Sequence, residues 1–418
     1  MIDYSEHTLA NGLRVVVNRA PSTEMAAVNV LYRVGARNEN PLRTGFAHLF
    51  EHLMFRGTRA VPDFDAPLHK ASAENNAFTN NDYTDYYITL PRENVETALW
   101  IEADRMTGLQ ISPEVLEAEK KVVVEEFNQR YINQPYGDQW LLVRQMAYKV
   151  HPYRWPTIGL SPEHIMGASV DEVMAFYRRY YNPANAILSV AADIEPARIF
   201  EMAEKWFGAV PGEGITGAGR PVDVLPPEPL QTQARRMEVE RDVPATAITI
   251  AFPMGGRTSR NYYACDILSD LLAGGSSARL YESLVRRQRL FSGVNAYITG
   301  DLDPGLFVVT GHLLPEVSVS AGEEALWEEL RRLCGEPAGD YELEKVKNKF
   351  EAETAFGELN VMNRAMNLGF YDMVGDLGLI NREVEIYRSF SAGELVDEAG
   401  ATFRHERSST LIYNGGKR

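Results

Sequence analysis

A strand, a glycine-arginine break and an apolar helix occur in that order twice in this chain. Ala27–Val34 is followed by Gly-Ala-Arg and then an apolar helix at Thr44–Phe55. Ala247–Met254 is followed by Gly-Gly-Arg and then another apolar helix at Tyr262–Leu272. A pattern that returns after roughly 200 residues reads as an internal duplication, each copy an α+β assembly with its own core. The length agrees, because 418 residues exceed what one hydrophobic core serves. Between the copies, P-G-E-G-I-T-G-A-G-R-P-V-D-V-L-P-P-E-P-L-Q at Pro211–Gln231 lacks periodicity and is dense in chain breakers, a linker composition. The expected fold is therefore α+β: two homologous domains, 1–212 and 233–418, each a mainly antiparallel sheet packed with helices, joined by a linker at 213–232.

Local signals fill in the first copy. Asn11-Gly12 marks a tight turn between two strands. Ala26–Val34 and Ala186–Ala192 are apolar strand runs, and Asn76–Leu90 alternates β-formers with turn residues as paired strands do. Leu99–Met106 and Pro113–Tyr131 read as helices, the second with proline at an initiating position.

The chemistry concentrates at residues 48–52, H-L-F-E-H. On a helix, His48 and His52 lie one turn apart, and Glu51 sits beside them. This is the reverse of the H-E-x-x-H zinc motif: two imidazoles suited to Zn²⁺ and a carboxylate placed to take a proton from a water at the metal. Phe46, Leu49, Phe50 and Leu53 form the opposite, apolar arc, so the histidine face is expected to meet solvent. The second copy's helix, Y-Y-A-C-D-I-L-S-D-L-L, has neither His nor Glu, so only the first copy can hold a metal.

A hydrolytic zinc site takes three protein ligands and leaves one position open. The missing ligand is best sought in E-A-E-K-K-V-V-V-E-E-F at residues 117–127. Glu119 and Glu126 are seven apart and share a helical face, so one can bind the metal while the other orients a histidine. Glu125 points elsewhere. An acidic face with Lys120 and Lys121 in weak pairs is the plainer reading of this segment taken alone.

Composition narrows the partners. With 45% hydrophobic and 24% charged residues the chain is globular, and its net charge of −16 disfavours nucleic acid and anionic membranes while suiting basic or unfolded polypeptides. No apolar run approaches the roughly 20 residues that span a bilayer. The first residues carry no signal-peptide pattern, and the chain's two cysteines, Cys265 and Cys334, suit a reducing compartment, so a cytoplasmic location is expected.

Several segments, in order, resemble the pitrilysin-type inverzincin metallopeptidases. They are G-F-A-H-L-F-E-H-L-M-F-R-G-T at 45–58, N-A-F-T-N-N-D-Y-T-D-Y-Y at 76–87 and E-K-K-V-V-V-E-E-F at 119–127, then H-P-Y-R-W-P-T-I-G at 151–159, Y-Y-N-P-A-N-A-I-L-S-V-A-A-D at 180–193 and G-G-S-S-A-R-L-Y-E-S-L-V at 274–285. The resemblance implies a zinc endopeptidase of unfolded peptides, the chain forming half of a clamshell chamber. It implies His48, His52 and Glu126 as zinc ligands, Glu51 as general base, Glu119 behind a ligand, and Asn76, Ala77 and Phe78 on a substrate-pairing edge strand. One departure stands out: where active relatives carry an Arg and a Tyr seven residues apart, this chain has Arg286 and Gly293, with Tyr297 out of register. The resemblance thus implies the zinc-bearing half of a two-subunit peptidase, paired with a related subunit or with itself. A non-catalytic assembly subunit of the same fold is the alternative.

Overall fold

The computed structural model of the chain describes residues 1–212 and 225–415. The packed units are not contiguous in sequence. The first draws on Met1–Phe127, Trp155–Leu225 and Ala355–Arg382, the second on Asn128–Arg154, Pro226–Thr354 and Glu383–Arg418. The repeat seen in the sequence divides the chain at its middle, whereas in packing each unit also takes in a segment from the other half. The linker expected at 213–232 lies mostly outside the described residues, and 225–232 have no regular secondary structure.

The strands are β1 (Ser5–Thr8), β2 (Arg14–Arg19), β3 (Met25–Tyr32), β4 (Glu74–Thr79), β5 (Thr84–Pro91) and β6 (Ala186–Ala192), then β7 (Arg235–Arg241), β8 (Ala247–Pro253), β9 (Phe291–Ile298), β10 (Leu306–Leu313) and β11 (Ser409–Gly415). Helices pack around these strands. In the first half they are α1 (Phe46–Leu53), α2 (Asp65–Lys70), α3 (Val95–Gly108), α4 (Pro113–Phe127), α5 (Gln139–Ala147), α6 (Pro162–Met166), α7 (Val170–Tyr180) and α8 (Pro196–Phe207). In the second half they are α9 (Arg260–Ala273), α10 (Val319–Gly335), α11 (Asp340–Gly357) and α12 (Val361–Val374).

The first unit's sheet runs β1-β2-β6-β3-β5-β4. Its pairs are antiparallel except β2 with β6, so the sheet is mixed. The run M-A-A-V-N-V-L-Y of β3 is buried beyond its first residue, as a central strand covered on both faces must be. Ala27 packs with Ala191 against Ala365 of α12. The alternate residue Tyr32 turns to the other face, against Tyr86 and Tyr181. The close approach of α12 depends on Gly369, where a Cβ would lie 3.0 Å from Ser189 Oγ and 3.1 Å from Asn29 Nδ2.

The second unit's sheet runs β7-β11-β8-β10-β9, with β7 and β11 parallel. Ile248, Ile250, Phe252, Phe307 and Val309 pack with residues of α9 and α10 on one face. Val143, Met146 and Ala147 of α5 pack with Ala247, Ala251, Val308 and Leu411 on the other. The duplication therefore has a reciprocal form. In each copy the long helix, α4 or α11, is followed by a helix, α5 or α12, that covers the other copy's sheet.

In the first unit, α1 starts at Gly45, whose φ is +93°. A Cβ there would lie 2.6 Å from both the Ile158 carbonyl oxygen and Ile165 Cδ1. Glu39 reaches forward to the same helix start. Its carboxylate accepts the Gly45 N–H at 2.8 Å and the Ala47 N–H at 2.9 Å, satisfying donors that the first turn leaves open. Gly45→Ala combines left-handed strain with a backbone clash and should cost about 1–3 kcal/mol. Thermal or denaturant unfolding of the variant checks this, and an unchanged midpoint would contradict the placement of α1.

Candidate metal and catalytic site

Two elements of the first unit supply the site. α1 carries His48, Glu51 and His52, and α4, packed against it, carries Glu119 and Glu126. The histidine face of α1 meets solvent only in part, less than its apolar and polar arcs suggest. His48 is only 7% exposed, and Glu51 and His52 are half-buried. The reason is tertiary: α4 and β4 lie against α1, while Phe50 on the opposite side stacks on Phe176 and Tyr181.

The distances define a cluster. Glu126 Oε2 lies 3.6 Å from His48 Nε2 and 3.4 Å from His52 Nε2. One ligand atom from each of His48, His52 and Glu126 falls within 4.8 Å of the others. These contacts are too long for hydrogen bonds. They match the edge of a tetrahedron with Zn–N and Zn–O bonds of about 2.0–2.1 Å, which places neighbouring donors about 3.3 Å apart. The donor set, two imidazoles and one carboxylate with no fourth side chain in the group among the described residues, fits a zinc ion with an open position.

Glu119 stands behind the cluster. It is 1% exposed, and its Oε2 lies 3.5 Å from His52 Nδ1. Its other oxygen is ion-paired with Arg56. α4 thus sets a carboxylate at each end of the His52 ring. The seven-residue spacing, about 10 Å of helix rise, is what spans an imidazole lengthwise. Glu125 is exposed, and Lys120, far from solvated, is buried and pairs with Glu117 at 2.6 Å.

Electrostatics follow from this bracket. Burial alone would lower the His52 imidazolium, but Glu119 and Glu126 outweigh it and push the value up to about 9. Burial alone would raise Glu119, but His52 and Arg56 outweigh it and leave it below the ordinary carboxylate range. Tyr86, Tyr87 and Tyr181 are raised first by burial, and the charge of Glu51 adds to each. Glu51 therefore sits within electrostatic reach of a tyrosine floor.

Asn76, Ala77 and Phe78 lie on β4, an edge strand paired only with β5. Asn76 is exposed and opposite Tyr87, Ala77 is buried, and the Ala77 N–H donates to Asn76 Oδ1 at 2.9 Å. Phe78 stacks edge-on with Tyr83. In the second unit, Arg286 is exposed and tied to Glu282 at 2.9 Å. Gly293 lies on the edge strand β9, where a Cβ would meet nothing within 4 Å. Tyr297, farther along β9, packs against Trp140.

Three supporting residues escaped the sequence reading. Glu39 caps α1 from six residues before its N-cap, outside any local capping pattern. His164 Nδ1 contacts Thr44 Oγ1 at 2.8 Å beside the same helix start. Arg56 meets Glu119 from a turn, and no local spacing links the two. His151 is buried in the second unit, accepts the Tyr153 N–H and contacts Asp303 Oδ2 at 3.3 Å, a structural role.

A two-sheet α+β chain with a His/His/Glu cluster beside an open strand edge defines a class, and comparison with known proteins identifies the family. The model of the insulinase family, peptidase family M16, matches residues 14–148, and that of the M16 inactive domain matches residues 167–350. The chain belongs to the M16 peptidase family. It is 28% identical over 409 residues to "Zinc protease PqqE" of Helicobacter pylori, covering 97% of this chain and 91% of that protein. A crystal structure of a protease from Helicobacter pylori superposes with a TM-score of 0.93 at 27% identity, over 99% of this chain and 100% of the other. The fold also recurs at 16% identity and a TM-score of 0.78 in the periplasmic protease PqqL of Escherichia coli, where it accounts for 48% of that chain.

The His52 bracket has a measurable sign. A histidine raised on folding contributes stability that is complete below its ordinary value of 6.5 and is lost as pH rises through about 9. In chelator-stripped protein, unfolding midpoints should therefore fall between those values, and His52→Gln should flatten this part of the profile. Parallel profiles for the two proteins would show that His52 is not held protonated by the two carboxylates.

Proposed function

We propose that this chain is a zinc-dependent endopeptidase acting on unfolded peptides. The observation that carries the proposal is the convergence of His48, His52 and Glu126 within 4.8 Å, with Glu51 on the same helix turn and an open strand edge beside it. The names of the family's members support zinc and proteolysis as its general chemistry. In this reading His48, His52 and Glu126 hold the metal. Zinc, when bound, supplies a Lewis acid that makes water more acidic and favours negative charge on a carbonyl oxygen.

The chain's own residues do the rest. Glu51, beside the ligands but not one of them, accepts the proton of the attacking water and returns it to the leaving amine nitrogen. Glu119 fixes the ring of His52. Asn76, Ala77 and Phe78 offer β4 as a template on which an extended peptide adds as a further strand, main-chain bonds giving affinity without a strict sequence demand. Folded substrates hold most of their strands already paired.

Dependence on a second subunit is the finer part of the proposal. Arg286 is engaged by Glu282, and glycine at 293 brings no side chain to the open space there. A related chain with a tyrosine at the corresponding position would supply the missing aromatic group.

Glu51→Gln should keep zinc and the fold while losing about 10²–10⁴-fold in peptide hydrolysis. Near-normal turnover would remove Glu51 from the chemistry. Glu126→Gln should lose zinc to dilute chelator, and metal content equal to the parent's would exclude it as a ligand. The isolated, zinc-loaded chain should cleave a mixed peptide pool weakly and gain activity with a partner, and Gly293→Tyr should raise partner-free activity. Full activity alone, insensitive to an added subunit and to Gly293→Tyr, would overturn the two-subunit reading.

A further inference from the structure

Glu119 and Glu126 are chemically alike and stand at the two ends of the His52 ring, so the bracket by itself offers a cation two places. Zinc could sit at the Nε2 end with Glu126 and His48, or at the Nδ1 end with Glu119. We propose that Arg56 decides between them: it occupies the Nδ1 end as a permanent cation, anchors Glu119 toward His52 Nδ1, and so presents the Nε2 lone pair to the metal. Arg56 is then a positioning residue acting through Glu119. The inference rests on the zinc reading above and goes beyond it by assigning the residue that gives the site its polarity.

Four observations carry it. Glu119 is 1% exposed, and a carboxylate so buried needs a compensating charge or hydrogen bonds to remain ionised. Its Oε1 is ion-paired with Arg56, and its Oε2 faces His52 Nδ1 at 3.5 Å. The two oxygens thus divide between the arginine and the ring.

The position of Arg56 is set by the element it serves. The Arg56 N–H donates to the Leu53 carbonyl at 3.0 Å, continuing from the end of α1. Gly57 then turns the chain with φ +85°. The helix that projects the two histidines therefore also fixes the root of the arginine, and a shift of α1 would move all three together.

Finally, the Arg56 side chain is 52% exposed. Its own burial contributes little to the core, so its removal can be read at the metal without unfolding the unit. Lysine would keep the charge but not the planar donor fork that matches a carboxylate.

The test is a double-mutant cycle read by zinc affinity, using chelator competition on the full chain. Arg56→Ala should weaken zinc by about 10–100-fold, as loss of support behind a ligand does, with the stripped protein still folded, at a lower midpoint because Glu119 loses its countercharge. Glu119→Gln should weaken it similarly, and the double variant should be little worse than either single change, because both act on one ring. Arg56→Lys should recover part of the loss. Zinc affinity in Arg56→Ala equal to the parent's, or losses that simply add in the double variant, would overturn the assignment while leaving the zinc site standing. A parent chain that takes up no zinc would overturn both.

Discussion

The packing of α4 across the histidine face of α1 is the contact on which the rest of the site depends. Each helix carries groups that neither can satisfy alone. α1 brings two imidazoles and a glutamate into a largely buried setting, and α4 brings two glutamates, one of them almost wholly removed from water. Apart, the buried carboxylate would be desolvated without compensation. Together, His52 lies between Glu119 and Glu126, and Arg56 balances the inner charge. The apolar back of α1, stacked on Phe176 and Tyr181, holds the pair at the required distance. Its start is fixed by Glu39 and by the left-handed Gly45. The geometry of the cluster is thus built from packing on one side and charge balance on the other.

The duplication explains why there is one such site. Both copies tie down the arginine that follows their central strand: Arg37 pairs with Asp82 at 3.1 Å, and Arg257 pairs with Glu383 and bonds the Tyr263 hydroxyl. The framework is therefore repeated. The helix that follows is not. α9 carries neither His nor Glu and buries Tyr263, Cys265 and Leu268, and no metal group forms there among the described residues. One copy carries the His/His/Glu cluster, and the other repeats the architecture with an apolar helix in its place.

His48, Glu51 and His52 were legible because their relation is local: one turn of helix sets it, whatever the surroundings. The strands β3 and β6 were legible for a similar reason, as apolar runs of strand length. Glu119 and Glu126 were legible only as a pair, because a seven-residue spacing gives two equivalent positions and their difference lies in the partners each meets: Arg56 pairs with Glu119, and both histidines face Glu126. Burial of the histidine face was not legible, since amphipathicity describes a helix and not the second helix that covers it. Nor was the exchange of α5 and α12: an apolar helix face states that it needs a sheet, not which of two similar sheets receives it. The parallel pairings β2–β6 and β7–β11 share that origin. They join strands far apart in sequence, and the order of a sheet is decided by contacts that no local pattern encodes.

The central claim is that α1 and α4 form an open zinc site with Glu51 left out of the coordination. Anomalous diffraction at the zinc edge from crystals of the zinc-loaded chain tests it most directly. The account predicts one strong peak within about 2.0–2.2 Å of nitrogen on His48 and His52 and of oxygen on Glu126, with no fourth protein donor. A peak bound through Glu119 or Glu51, one closed by four protein side chains, or none at this cluster would contradict it.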